Sequence, residues 1–124
     1  DLPEVIAWGT GRPQRDFIYI QDAVEAIFKA SVVLNTSKII NISSGKLISI
    51  KTLTEKIAQI VKYDGKIIWD KSKPDGQMIK GFDVKKMTDL LEFKPEYDLE
   101  EGLKLTFEWF KANIKNAKLE LDIR

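Results

Sequence analysis

Two kinds of apolar spacing follow one another along the chain and predict a mixture of strands and helices. Short apolar or β-branched runs are typical of strands, and they occupy residues 4–8, 16–20, 38–43 and 66–69. Elsewhere, apolar residues recur at intervals of three and four, which is typical of amphipathic helices. The predicted helices follow four residues that are good N-caps: Asp22, Ser49, Asp83 and Asp98. The first helix should end near Asn35, and Pro95 should stop the third.

This alternation of strands and helices favours an α/β fold with α+β-like character, built from about four helices and several short strands. The chain has 124 residues, which is the length of one ordinary domain. It contains no repeat, low-complexity tract or linker that would divide it. We therefore predict that residues 1–124 form a single domain with a real hydrophobic core.

The composition removes several classes of chemistry. The sequence has no cysteine and no histidine, which excludes disulfides, zinc–thiolate sites, cysteine nucleophiles and a Ser-His-Asp triad within this chain. Lys and Arg number 20 and Asp and Glu 19, so the net charge of +1 does not indicate a nucleic acid or a membrane surface as partner. No signal peptide or apolar run of membrane length is evident.

The segment Gly9-Thr10-Gly11 begins like a dinucleotide-binding fingerprint, but the residues after it do not fit. Gln14 stands where the third glycine is needed, and Pro13 stands where the helix should start. None of the three tyrosines has a lysine four residues later, so a reductase-type Tyr-x-x-x-Lys pair is absent. We therefore predict no catalytic, cofactor-binding or metal-binding residue in this chain.

A few side chains suit ligand binding, although each also has an ordinary structural explanation. Arg12 and Arg15 flank a Gly/Pro turn, and an arginine fork matches the oxygens of a phosphate, but either could be a solvated turn charge. Asp75 lies in a Pro-Asp-Gly turn, and Trp8 ends a strand-like run, where aromatic residues usually pack. From the residues alone, both explanations stay open.

Three segments together resemble the extended short-chain dehydrogenase/reductases that act on nucleotide sugars, the NAD-dependent epimerase/dehydratase family. Residues 8–24, WGTGRPQRDFIYIQDAV, are similar to the pattern W-G-x-G-x-P-x-R-[D/E]-F-[I/L]-[H/Y]-[V/I]-x-D. Residues 70–76, DKSKPDG, followed by Lys80 and Asp83, are similar to the GDP-L-fucose synthase branch. Residues 99–113 look like the final helix of the family. Met78 and Ile79 depart from the Pro and Arg that the family usually has in this loop.

The resemblance implies that the chain is the C-terminal, substrate-binding portion of a Rossmann-type epimerase or reductase, inactive by itself. The preceding half would bind NADP(H) or NAD(H) and carry the catalytic residues, and a start at Asp1 rather than Met fits this expectation. The implied ligand is a nucleotide-diphosphate sugar, with a GDP-sugar favoured. By motif position, the substrate-binding residues are Trp8, Arg15, Asp75 and Lys80. The complete enzyme would be a cytoplasmic homodimer.

Other functions remain open beside this one. UDP-hexose 4-epimerases and NDP-sugar 4,6-dehydratases share the motif that contains Arg15, whereas the Ser-Lys-Pro-Asp-Gly segment argues for the fucose synthase branch. A third possibility is a nucleotide-sugar binding domain with no catalytic role.

Overall fold

A computed structural model describes residues 3–121, and over that range the chain is a mixed α/β structure. The four helices are α1 (Ile20–Val33), α2 (Ile50–Val61), α3 (Lys85–Leu91) and α4 (Leu99–Leu121). The five strands are β1 (Glu4–Trp8), β2 (Gln14–Asp16), β3 (Leu47–Ser49), β4 (Lys66–Asp70) and β5 (Ile79–Lys80). The predicted fold class is therefore confirmed, including the number of helices and the shortness of the strands.

The strands form two small sheets. In the first, β1 pairs in parallel with β4, with Glu4 opposite Lys66 and Trp8 opposite Asp70. In the second, β2 lies in the centre, antiparallel to β3 and parallel to β5. Both strands that flank the Gly/Pro turn, β1 and β2, thus pair with segments far along the chain.

The most buried apolar residues lie between α1 and α3. Ala26 of α1 is fully buried against Met87 and Leu91 of α3, with Phe93 completing the cluster. Burial of such side chains supplies about 25 cal/mol per Å² of apolar surface removed from water. This cluster holds α1 against α3.

Local capping signals predicted two helix starts correctly. Ser49 is the N-cap of α2, and its Oγ accepts a hydrogen bond from the Thr52 amide at 3.0 Å. Asp98 precedes α4, and its Oδ1 accepts from the Glu101 amide at 2.9 Å. The amide hydrogen bond from Glu101 holds the pKa of Asp98 below its ordinary value. Asp83 lies two residues before the start of α3 but still accepts from the Lys85 amide at 2.8 Å.

The predicted strand over residues 16–20 and the N-cap role of Asp22 are wrong. The strand β2 covers residues 14–16 instead, and the carboxylate of its last residue, Asp16, accepts the amides of Ser44 and Gly45 at 3.0 and 2.9 Å. The helix α1 then begins at Ile20, two residues before Asp22. Asp22 is fully buried within its first turn and accepts the amides of Glu96 and Tyr97 at 2.9 and 3.2 Å.

The predicted strand over residues 38–43 is also absent from the structure. Among the described residues, this segment has no strand beside it, and an isolated strand leaves its backbone groups without partners. Ile40 and Ile42 pack against the core cluster, whereas Ile39 between them is 82% exposed. The helix α3 ends at Leu91, with Glu92 in the left-handed conformation at φ 48°, before Pro95 is reached. None of the helices described is both long and apolar enough to cross a membrane.

Candidate functional site

The turn after β1 and the connection after β4 lie side by side. The Gly9 amide donates to the Asp70 carbonyl at 2.9 Å, and the Gln14 amide donates to the Met78 carbonyl at 2.7 Å. Residues 71–78, which we call the strap, therefore run along the turn at residues 9–13 and are attached to it at both ends. All four predicted substrate-binding residues lie in or next to these two segments.

Asp75 attaches the middle of the strap to the turn. Its Oδ1 accepts the Thr10 amide at 2.5 Å, and its Oδ2 accepts the Thr10 hydroxyl at 2.7 Å. Gly9 has a φ of +79°, and a Cβ at that position would lie 2.4 Å from Asp75 Oδ1, so only glycine permits this approach. The pKa of Asp75 lies below its ordinary value. The hydrogen bond from the Thr10 amide contributes most to this shift, the one from the Thr10 hydroxyl contributes less, and the nearby Arg12 charge contributes least.

Arg15 and Lys80 are direct neighbours across paired strands. They are Cα partners in the parallel β2–β5 pair, so their side chains leave the same face of the sheet from backbones about 4.8 Å apart. Neither forms an ion pair within 4.0 Å with a carboxylate of the described residues. Like charges placed opposite each other are unfavourable, and an anion bound between them would remove that repulsion.

Trp8 lies at the end of β1 with its ring largely in solvent. Its side chain is 71% exposed, and the Lys73 Nζ of the strap lies 5.6 Å from the ring centroid. An exposed indole beside a cation is a flat surface on which a sugar or a base can pack. Trp8 is therefore not packed into the core, as tryptophan residues usually are.

The structure thus brings two of the four predicted residues, Arg15 and Lys80, together, and it places Asp75 against the turn that follows Trp8. Sequence reasoning missed Thr10 and Lys73, which contact Asp75 and Trp8 respectively. Nothing in the local sequence signals the Thr10–Asp75 contact, since the two residues lie 65 positions apart.

The glycine-rich turn does not suit a dinucleotide. In a dinucleotide-binding fold the glycines lead into a helix whose N-terminus receives the phosphates. Here the turn at residues 9–13 leads into the strand β2 instead. The turn therefore lacks the helix N-terminus that receives the phosphates in a dinucleotide-binding fold.

A large apolar cavity lies elsewhere, between α2, α4 and the residues before α1. Its volume is about 1030 Å³, and its lining includes Tyr19, Leu53, Met87, Tyr97 and Leu103. The rings of Tyr19 and Tyr97 meet at its wall, with centroids 4.8 Å apart. None of the four predicted substrate-binding residues lines this cavity.

Comparison with known proteins finds the family that the motifs resemble. Residues 1–43, which include Trp8 and Arg15, match the NAD dependent epimerase/dehydratase family. The resemblance stated from the motifs of this chain is confirmed by this match and by the similar proteins described next.

Particular relatives are fucose synthases and epimerases. The chain is 36% identical over 115 residues to the "Probable GDP-L-fucose synthase 1" of Oryza sativa subsp. japonica, and the aligned region covers 93% of this chain and 35% of that protein. It superposes on a GDP-L-fucose synthetase from Naegleria fowleri bound to NADP with a TM-score of 0.85 and 25% identity, over 90% of this chain and 36% of that one. It also superposes on a UDP-glucose 4-epimerase from Thermotoga maritima with UDP-glucose, with a TM-score of 0.80, 28% identity and the same coverage. The chain spans about 35% of the length of the curated relatives it matches.

Proposed function

We propose that this chain is the nucleotide-sugar-binding portion of an NAD(P)-dependent sugar-nucleotide epimerase or reductase similar to GDP-L-fucose synthase. The observation that carries the proposal is the pair of neighbouring cations, Arg15 and Lys80, on one face of the β2–β5 strand pair. A diphosphate supplies the negative charge that this pair lacks, and the arginine fork can bind two of its oxygens at once.

The remaining two residues give the site its selectivity in this proposal. The Trp8 ring offers a surface for the sugar or the base, and the Asp75 carboxylate has lone pairs left for a hydroxyl or a base N–H after accepting two hydrogen bonds. Neither residue moves a proton or a hydride. The chain's own contribution is to bind and orient the substrate.

The cofactor site and the catalytic residues belong, in this proposal, to further polypeptide. Relatives of this chain are about three times as long, and one of them binds NADP. The outer face of α1 has apolar side chains that nothing in the described residues covers: Val24, Ile27, Phe28 and Val32 are each more than half exposed. We infer that an NAD(P)-binding part packs on this face, in a cytoplasmic homodimer as the resemblance implies. Residues 1–124 form the substrate-binding domain and should show no turnover alone.

The coding sequence upstream of Asp1 tests this division of roles. We expect an in-frame segment with a G-x-x-G-x-x-G strand-turn-helix and a Tyr-x-x-x-Lys pair, because this chain has neither. If the reading frame instead starts at or just before residue 1, the chain is a stand-alone binding domain. Turnover of a nucleotide sugar by the isolated chain would also contradict the proposal.

A UDP-hexose 4-epimerase portion is the second candidate, favoured by the similarity to the epimerase that holds UDP-glucose. The Met78 and Ile79 departures from the fucose synthase loop leave room for it. The two candidates differ in the base and in the sugar that the same cationic pair would hold.

The melting temperature of the chain with each ligand distinguishes the candidates. A ligand that binds only the native state raises the melting temperature, so we compare GDP-fucose and UDP-glucose at about 1 mM each. We expect the larger increase with GDP-fucose. A larger increase with UDP-glucose would favour the second candidate, and no increase with either would contradict a nucleotide-sugar site.

A further inference from the structure

Three attachments hold the strap against the turn, and they differ in kind. The two at the ends, Gly9 to Asp70 and Gln14 to Met78, are main-chain hydrogen bonds that any sequence could make. The attachment in the middle is the side chain of Asp75 on Thr10. Of these three attachments to the turn, the middle one is therefore the one that depends on particular side chains.

The Thr10–Asp75 contact is well built for holding a segment in place. Both carboxylate oxygens are occupied by different donors of one residue, so the carboxylate cannot rotate without losing a hydrogen bond. The Asp75 side chain is only 16% exposed, and glycine at position 9 lets it approach the backbone closely. Arg12 Nη2, 3.9 Å from Oδ2, adds a weak attraction from the solvent side.

The hydroxyl is the component of this contact that depends on the residue type at position 10. The amide of any residue could donate to Oδ1, but only serine or threonine also places a hydroxyl within reach of Oδ2. In the motif W-G-x-G, which carries the resemblance, position 10 is the variable one. The motif itself therefore assigns no role to Thr10.

We propose that Thr10 is a positioning residue of the candidate site, which holds the Asp75 carboxylate and thereby fixes the strap in the arrangement that binds a nucleotide-diphosphate sugar. The inference rests on the proposed function. Fixing the strap places Asp75 against the turn and the Lys73 ammonium near the Trp8 ring. Thr10 acts through Asp75 and need not touch the ligand.

Substitution of the hydroxyl tests the role. Thr10→Val keeps the shape and the amide but removes the second donor, so we expect GDP-fucose to bind about tenfold more weakly by calorimetry. Thr10→Ser retains the hydroxyl and should restore affinity to within about twofold of the original. Thr106→Val is the matched control, since the Thr106 hydroxyl donates to the Gly102 carbonyl in α4, away from the strap.

Two further measurements separate positioning from a general loss of stability. The double variant Thr10→Val/Asp75→Asn should bind GDP-fucose no more weakly than the weaker of the two single variants, because the two substitutions remove the same contact. In carbon-detected NMR, Thr10→Val should raise the pKa of Asp75 towards the usual range, since one of the hydrogen bonds that lowers it is gone.

The outcomes distinguish this inference from the proposed function. If the original chain binds GDP-fucose and Thr10→Val binds it equally well, the positioning role is wrong and the site stands. Additive losses in the double variant would also overturn it, because Asp75 would then act independently of Thr10. If the original chain binds neither GDP-fucose nor UDP-glucose, the proposed function fails and the inference fails with it.

Discussion

Replacing Arg15 by alanine should weaken the binding of a nucleotide-diphosphate sugar by about 100-fold or more. Each hydrogen bond to a charged group contributes about 1.5–3 kcal/mol, and the fork of Arg15 can form two with a diphosphate. The loss leaves Lys80 alone on this face of the β2–β5 pair. Calorimetric titration with GDP-fucose and UDP-glucose measures the change directly.

Two companion variants sharpen the interpretation of that result. Arg15→Lys keeps the charge but not the planar fork, so its affinity should fall between those of Arg15 and Arg15→Ala. Arg12→Ala removes the other guanidinium of the turn, whose side chain is 74% exposed, and should change affinity by less than about twofold. Equal affinities for Arg15→Ala and the original chain would remove Arg15 from the site.

Of the substitutions that we predict for the described part of the chain, Asp22→Ala should be the most destabilising. The Asp22 carboxylate is fully buried and accepts the amides of Glu96 and Tyr97, which connect α1 to the segment before α4. Alanine leaves two partly buried donors without partners, at about 1–3 kcal/mol each. We expect the melting temperature to fall by about 10 °C or more, measured by circular dichroism.

Asp64→Ala is the control for this effect. Asp64 is an exposed residue in the turn between α2 and β4, so its loss should change stability by less than about 0.5 kcal/mol. A similarly small change for Asp22→Ala would show that the two amides find other partners, and that Asp22 does not hold the two segments together.

Sequence reasoning succeeded where the determining interactions are local. The strands β1 and β4 and the starts of α2 and α4 follow from apolar runs and from capping side chains within three residues of the amides they accept. Sequence reasoning failed where a side chain forms its hydrogen bonds with a distant segment. Asp22 resembles an N-cap, but Glu96 and Tyr97 occupy its carboxylate, and no local pattern contains that information.

The candidate site also combines features that the local sequence predicts with features that depend on distant segments. Motif position identified Arg15 and Lys80, but their adjacency appears only in the register of the β2–β5 pair. Asp75 was selected as a substrate-binding residue, and the structure adds the contact with Thr10 that the sequence could not show. The role of all four residues in binding stays a prediction, to be tested by the titrations described above.

The parallel pairing of the strands has a consequence for the order in which the molecule is assembled. In each parallel pair the two strands lie about sixty residues apart along the chain, so neither the β1–β4 pair nor the β2–β5 pair can form until that much of the chain has left the ribosome, whereas β2 can pair earlier with β3. The helices, which need only nearby residues, can form before that. The proposed binding site therefore forms late in synthesis, and a product that stops before Lys80 could retain α1 and α2 but would lack the Arg15–Lys80 pair.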